Sequence, residues 1–294
     1  MPLNNYQFQY NTFQFGGTGS PYQVLNIDGL ESLPDLRVQD DNRGYNDGMF
    51  TGRDFLSGRT ITIDILTLAG GGNSAFTNFN LLQAALIPTA SYTAPSVTAS
   101  TAPGLLQFLL STSDSEMRIG ARVRARQTAV NPDYTYGFIK SQYTFFCPDP
   151  RYYSNTLQTG SLSPVAALGR GYNRIYPLTY GGGSGSVSTP FTNSGTVTTY
   201  PQITITGPAT NIVLTNTTTG QYLSFYGSIA AGDTLVIDLY EKLITLNGVS
   251  ARNLLLGGSN WFGFDVGTTN LSFFASGTVV GTTTCNINYR SAFI

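Results

Sequence analysis

The chain contains no histidine. That absence removes His-based nucleophile triads, imidazole general bases and the commonest zinc ligand sets together. Cysteine is nearly missing too. Cys147 and Cys285 are too few for a disulfide scaffold and too far apart for a CxxC metal or redox motif. Both are expected as buried thiols, with a single bridge between them as the alternative. Charge is scarce at 11%, against about a quarter in ordinary domains. Fifteen basic and sixteen acidic residues leave a net charge of -1, so no overall field draws the chain to nucleic acid or an anionic membrane. Nowhere do eighteen apolar residues run together, and residues 1–15 lack both a basic segment and an apolar stretch. Neither a membrane span nor a signal peptide is expected.

What the chain has instead is 33 glycines, 18 tyrosines and 18 phenylalanines, so its surface must be built mainly from Thr, Ser, Asn, Gln and Gly. Such surfaces suit strands and shared interfaces. A length of 294 residues allows two domains, each with its own core. The charge is unevenly placed: residues 1–27 carry none, residues 28–59 carry many, and none falls between Arg174 and Asp233. This inversion supports two domains with different surfaces. The Pro-rich Cys147-Pro148-Asp149-Pro150-Arg151 and the following passage with Gly181-Gly182-Gly183-Ser184-Gly185-Ser186 mark the junction, giving a β domain over 1–154 and a second over 155–294.

Periodicity predicts a mainly β fold. Ile61, Ile63 and Ile65 alternate with Thr and Asp, as in a half-buried strand. Ser74 as N-cap, then Phe76, Phe79, Leu82 and Leu86 up to Pro88, predicts the one substantial helix. Residues 107–110, 117–126 and 134–146 are predicted as further strands. Residues 200–274 carry short strands broken about every ten positions by turn residues, the rhythm of an all-β sandwich. Ile203 with Ile205, Ile212 with Leu214, Leu235 with Ile237, and Leu243 with Leu246 supply its apolar positions, with a hairpin over 234–246 and further segments at 259–264 and 270–274.

Few side chains offer chemistry. The glycines at 70–72 before a helix could cradle an anion, but the lysine of a phosphate-binding loop is missing, and a flexible connection is the simpler reading. Asp40, Asp41, Asn42 and Asp47 crowd oxygen atoms into one loop, yet the turn glycine of an EF-hand is misplaced, which favours a solvated acidic loop. Asp233 and Asp238 could suggest a glycosidase pair, but they flank one strand of the predicted hairpin and nothing in the sequence sets them across one sugar-sized cleft, so hydrolysis is not expected. No cofactor or metal is expected. The sharpest charge pattern is Arg118, Arg122, Arg124 and Arg126, which period two places on one face of a strand. That face is either solvated or set against acidic residues of a neighbouring subunit, with residues 28–47 as the source of opposite charge. Specific nucleic-acid contact is not expected, since no aromatics interleave the arginines. Trp261 is a core residue or a sugar-stacking platform, and its neighbours Phe262 and Phe264 favour core.

Several motifs, taken in order, resemble the distal tail protein family of long-tailed siphophages. They are Gly58-Arg59 with its alternating strand, Asp149-Pro150-Arg151-Tyr152-Tyr153, Tyr200-Pro201-Gln202-Ile203-Thr204-Ile205-Thr206-Gly207, Ala231-Gly232-Asp233-Thr234-Leu235-Val236-Ile237-Asp238, Leu246-Asn247-Gly248 and Gly258-Ser259-Asn260-Trp261-Phe262. The set spans most of the chain. Where the family commonly has a glycine pair and a proline before Asn270, this chain has Asp265-Val266-Gly267. The resemblance implies an N-terminal split-barrel-like domain with one helix that forms a homo-hexameric ring, and a C-terminal galectin-like or jelly-roll β-sandwich; periodicity leaves open whether the final segment, 286–294, stays in that sandwich or returns to the first domain. It implies a structural virion protein at the distal end of the tail, made in the host cytoplasm, with the tail tube protein, the tail-tip hub or tail-associated protein and the tape measure protein as partners. A carbohydrate- or receptor-binding tail protein touching host cell-wall glycans through Trp261 or the tyrosines is the second reading. A bacterial surface adhesin is the third, and an enzyme the last.

Overall fold

The computed structural model describes residues 3–88, 104–111, 114–162, 164, 188–276 and 283–294. The glycine run at 181–186 lies outside them. The chain divides into two compact units, Met1–Thr156 with Phe293–Ile294, and Leu157–Ala292.

The first unit opens with strands β1 (Gln7–Tyr10), β2 (Phe13–Gly16) and β3 (Tyr22–Asp28). An arm follows, built from the two-residue strands β4 (Leu36–Arg37), β5 (Asp41–Asn42), β6 (Met49–Phe50) and β7 (Phe55–Leu56), with β4 paired to β7 and β5 to β6. Then come β8 (Arg59–Thr67), helix α1 (Ala75–Ala85), β9 (Leu105–Leu109), β10 (Met117–Gly120), β11 (Arg122–Thr128), the one-turn helix α2 (Pro132–Thr135), β12 (Ile139–Cys147) and β13 (Tyr152–Ser154). One sheet has the order β2-β1-β9-β10-β13, and a four-stranded sheet runs β11-β12-β8-β3.

β8 folds as its alternation predicts. Ile61, Ile63 and Ile65 are fully buried beside Phe8, Phe15, Tyr143 and Phe145. Each isoleucine contributes about 1.5–3 kcal/mol by leaving water. β12 pairs with β8 along nine positions, from Arg59 opposite Cys147 to Thr67 opposite Ile139. Helix α1 starts where expected, with Ser74 Oγ accepting the amide N–H of Thr77 at 3.2 Å. Its buried stripe is Ala75, Asn78, Phe79 and Leu82, at helical spacing, which leaves Phe76 exposed. Asn78 Nδ2 donates to the carbonyls of Leu68 and Gly70, so the glycine turn before the helix is stitched to it rather than left open.

Two expected strands differ. The strand predicted over 134–146 begins at Ile139, because Asn131 caps α2 with Pro132 in its first turn. The strand predicted over 117–126 breaks at Ala121. Its amide donates to Gly104 O at 2.7 Å, and its two halves, β10 and β11, lie in different sheets.

The second unit contains β14 (Gln158–Leu162), β15 (Thr189–Asn193), β16 (Gln202–Thr206), β17 (Ala209–Asn216), β18 (Tyr222–Ser224), β19 (Ser228–Ile229), β20 (Thr234–Asp238), β21 (Leu243–Leu246), β22 (Val249–Ser250), β23 (Gly267–Ser276) and β24 (Thr284–Tyr289). They form two sheets, β14-β24-β16-β20-β21-β22 and β15-β23-β17-β18, the latter with β19 added on β17. Ile203, Ile205, Ile237 and Ile287 of the first sheet share one core with Leu214, Leu223, Leu271 and Phe273 of the second. The predicted hairpin is β20 with β21, although β21 buries Ile244 and exposes Leu243. Residues 259–264 form no strand beyond a single bridge from Phe264 to Thr199. The chain ends in β25 (Ala292–Phe293), and Phe293, in the first unit, stacks on Tyr152 with ring centres 6.2 Å apart.

Arg59 joins the pieces of the first unit. It is 2% exposed. Its Nε donates to Pro150 O at 3.0 Å, and Nη1 donates to the carbonyls of Gly29, Leu30 and Ser32. Its guanidinium carbon lies 5.4 Å from the centre of the Tyr152 ring, and burial pulls its pKa below the ordinary arginine value. Gly29 makes this approach feasible: its φ is +82°, and a Cβ there would meet Thr60 O at 2.1 Å. Arg59→Met keeps the apolar stem but leaves these carbonyls without their donor. A loss of about 3 kcal/mol is expected in denaturant unfolding, with faster proteolysis between residues 31 and 57. An unchanged midpoint would show that the clamp carries no stability.

Candidate functional site

The arginine pattern directs attention to β11, an edge strand of the four-stranded sheet. The four side chains do not form one surface. Arg118 is fully buried on β10, opposite Gln107 of β9 and Tyr153 of β13. Both faces of β10 are covered at this point, since Ile119 is buried as well. Arg122 pairs with Phe146, and a bulge between Val123 and Ala125 then shifts the register, so that Arg126 falls opposite Tyr143. Phe146 and Tyr143 point to opposite faces of β12, hence so do Arg122 and Arg126. Arg124 lies over the Phe146 ring at 4.1 Å from its centre. The structure therefore brings Arg122 and Arg124 together, sends Arg126 to the other side of the edge, and removes Arg118 from the surface.

At the opposite edge of the same sheet is β3, and the arm begins where β3 ends. Between the two edges, the outer face holds an open hollow of about 630 Å³ lined by Leu25, Asp64, Gln127, Lys140 and Gln142. Gln142 Nε2 donates to Asp64 Oδ1 at 2.9 Å, which occupies one of the two ionisable side chains there. The lining has no thiol and no nucleophile–base pair.

The other singled-out residues have structural partners. Asp233 accepts from Ala230 N and from Asn247 Nδ2, while Asp238 Oδ1 accepts the amides of Tyr240 and Glu241 at 2.9 Å each. Both carboxylates thus close turns. Asp40 and Asp41 lie in the arm, where Asp40 Oδ1 accepts Gly52 N at 3.0 Å. No group of three or more acidic, cysteine or histidine side chains that could hold a metal occurs among the described residues. Trp261 is half-buried against the core of the second unit. Asp149, 4% exposed, accepts Arg151 N at 3.1 Å and the hydroxyl of Tyr153 at 2.6 Å. The Asp149-Pro150-Arg151-Tyr152-Tyr153 motif is accordingly a knot that turns the chain after β12 and holds Arg59. Its sequence signal was plain, but periodicity could not assign it this role.

With that geometry established, comparison with known proteins shows what the chain is similar to. Residues 194–293 match the model of the siphovirus-type tail component, C-terminal domain. No curated protein matches the chain in sequence. Among solved structures, the chain is similar to the Dit protein (gp 19.1) of SPP1, described as a paradigm of the hub adsorption apparatus in phages that infect Gram-positive bacteria. The TM-score is 0.60 at 15% identity, covering 97% of this chain and 98% of that one. It also matches a chain of the phage P2 baseplate in its activated conformation with Ca, with a TM-score of 0.48 at 10% identity over 98% and 99% of the two chains. The chain thus has the Dit fold across nearly its whole length.

The two thiols bound the chemistry further. Both are free and fully buried. Desolvation pushes Cys147 up to about 12, against an opposing pull from Arg59, and burial raises Cys285 as well. Neither is a thiolate near neutrality. Native protein at pH 8 should resist Ellman's reagent, with both thiols reacting after denaturation; rapid labelling of the folded chain would contradict their burial. Because the folded pKa of Cys147 lies above its ordinary value of 9.0, its contribution is complete below that pH and is lost as pH rises through about 12.

Proposed function

We propose that this protein is a structural component of the distal tail of a long-tailed phage, acting in the virion as a homo-hexameric ring around the DNA channel. In this reading the ring connects the tail tube protein to the tail-tip hub, with the tape measure protein as a further partner. The match of residues 194–293 to a siphovirus-type tail component carries the proposal, and the Dit fold of the whole chain supports it.

The physical character of the chain is consistent with assembly rather than catalysis. The acidic residues that could have formed a hydrolytic pair are engaged in turns. The four-stranded sheet ends in the edge strands β3 and β11 among the described residues, and a sheet edge is where a neighbouring chain can add its own strand. A low charge content lets large areas of Thr, Ser and Asn surface meet another subunit without stranding ions. The arginines of β11, half-buried Arg122 with exposed Arg124 and Arg126, are assigned to the subunit junction.

Native mass spectrometry and negative-stain imaging of the purified protein test this reading. A closed six-fold ring with a central channel is expected. A chain that stays monomeric both alone and when mixed with tail tube and hub proteins would overturn it. Arg122→Glu with Arg124→Glu should weaken the ring by about tenfold or more in dissociation constant without shifting the melting temperature of the monomer. A ring of unchanged strength would remove β11 from the junction.

A further inference from the structure

The arm between β3 and β8 has no core of its own. Apart from Pro34, every residue from 31 to 57 is exposed. Four two-residue strands hold it in shape, and a hairpin of this kind is marginal in water. Yet it displays large apolar side chains: Val38, Met49 and Phe50 are 50%, 49% and 61% exposed. With Leu33, Leu36 and Tyr45 exposed as well, so many uncovered apolar side chains in one short segment point to an interaction surface. The root, in contrast, is fixed, because Arg59 grips the carbonyls of Gly29, Leu30 and Ser32. The arm is therefore aimed but uncovered.

Its charges identify the occupant. Six carboxylates, Glu31, Asp35, Asp40, Asp41, Asp47 and Asp54, stand against three arginines. Those arginines lie on the arm's own aromatics: Arg37 and Arg53 over Phe55 at 5.3 and 5.4 Å, and Arg43 over Phe50 at 5.0 Å. Asp40 accepts Gly52 N within the arm, and the other five carboxylates, all on exposed residues, give the arm its net negative charge. The opposite edge of the sheet, β11, carries Arg122, Arg124 and Arg126 with no acid in the strand. The acidic arm and the basic edge are separated by the width of one sheet, so they face different neighbours. Such head-to-tail complementarity joins copies in a ring when the rotation closes.

We infer that residues 31–57 form a strap that docks along the β11 edge of a second copy of this chain, pairing arm carboxylates with Arg124 on one side of that edge and Arg126 on the other, and covering the apolar arm residues. This rests on the ring reading and specifies which surfaces make the junction. Charge-swap rescue tests it. Asp41→Lys with Asp54→Lys should weaken the oligomer at least about tenfold, measured by native mass spectrometry over a dilution series. Arg124→Glu with Arg126→Glu should do the same, and the four changes together should restore assembly to within about threefold of the original. Circular dichroism and melting temperature verify that each variant still folds. Hydrogen exchange should show residues 31–57 protected in the oligomer and unprotected at dilutions where it dissociates. An oligomer indifferent to the arm changes, or weakened without rescue, overturns the strap while the ring reading stands. If the arm changes abolish binding to tail tube or hub protein instead, the occupant is that protein and the inference fails. Wild-type protein that never assembles, with or without its tail partners, overturns both readings.

Discussion

The first unit depends on one buried cation. Arg59 is the only side chain of β8 whose polar atoms reach across three chain segments: the end of β3, the root of the arm and the turn after β12. Removing a guanidinium from water is expensive unless its N–H groups find acceptors and its charge is offset. Here four backbone carbonyls and an aromatic face share the task. Those carbonyls belong to irregular segments that have no ladder of their own to join, so the arginine satisfies groups that would otherwise be buried without donors. Asp149 performs the complementary service nearby, accepting a backbone amide and a tyrosine hydroxyl. The two together explain why a chain with so little charge retains these charged residues inside.

Much of the fold was legible because its strands are half-buried and alternate. β8 and the strands of the second unit announce themselves by period two, and the hairpin of β20 and β21 by the turn between them. Arg59 was legible in principle as well. It shares parity with Ile61, Ile63 and Ile65, so any register that buries the isoleucines also turns the arginine inward. The sequence motifs with the least obvious chemistry proved to be structural junctions: Asp233 and Asn247, from two separate motifs, hydrogen-bond to each other at 2.9 Å.

What periodicity could not supply was which sheet a strand joins. Residues 117–126 keep a near-perfect alternation through Ala121, yet the chain changes sheets there. Local spacing is blind to this, because the cause is a contact with Gly104, distant in sequence. The bulge after Val123 defeats the pattern in a second way, since one extra residue inverts the parity of every side chain beyond it. Four arginines at even spacing therefore became one buried, two together and one reversed. The candidate site was half visible for the same reason: the residue types were right, and the surface they make is set by register.

The arm shows how these levels combine. Its composition resembles a solvated acidic loop, and on exposure alone it is one. Its shape, however, does not come from burial, as the rest of the unit does, but from short ladders and from arginines laid on Phe50 and Phe55. Contacts of that kind contribute about 0.5–1 kcal/mol each at exposed sites, too little to order some two dozen residues against backbone entropy of about 1–2 kcal/mol per residue. A fixed root lowers the entropy lost when the remainder is ordered, because the first residues are already placed. The apolar side chains along the arm supply the missing stabilisation only when something covers them. Burial at the root therefore sets the direction of the arm, and its order is completed by whatever surface it meets.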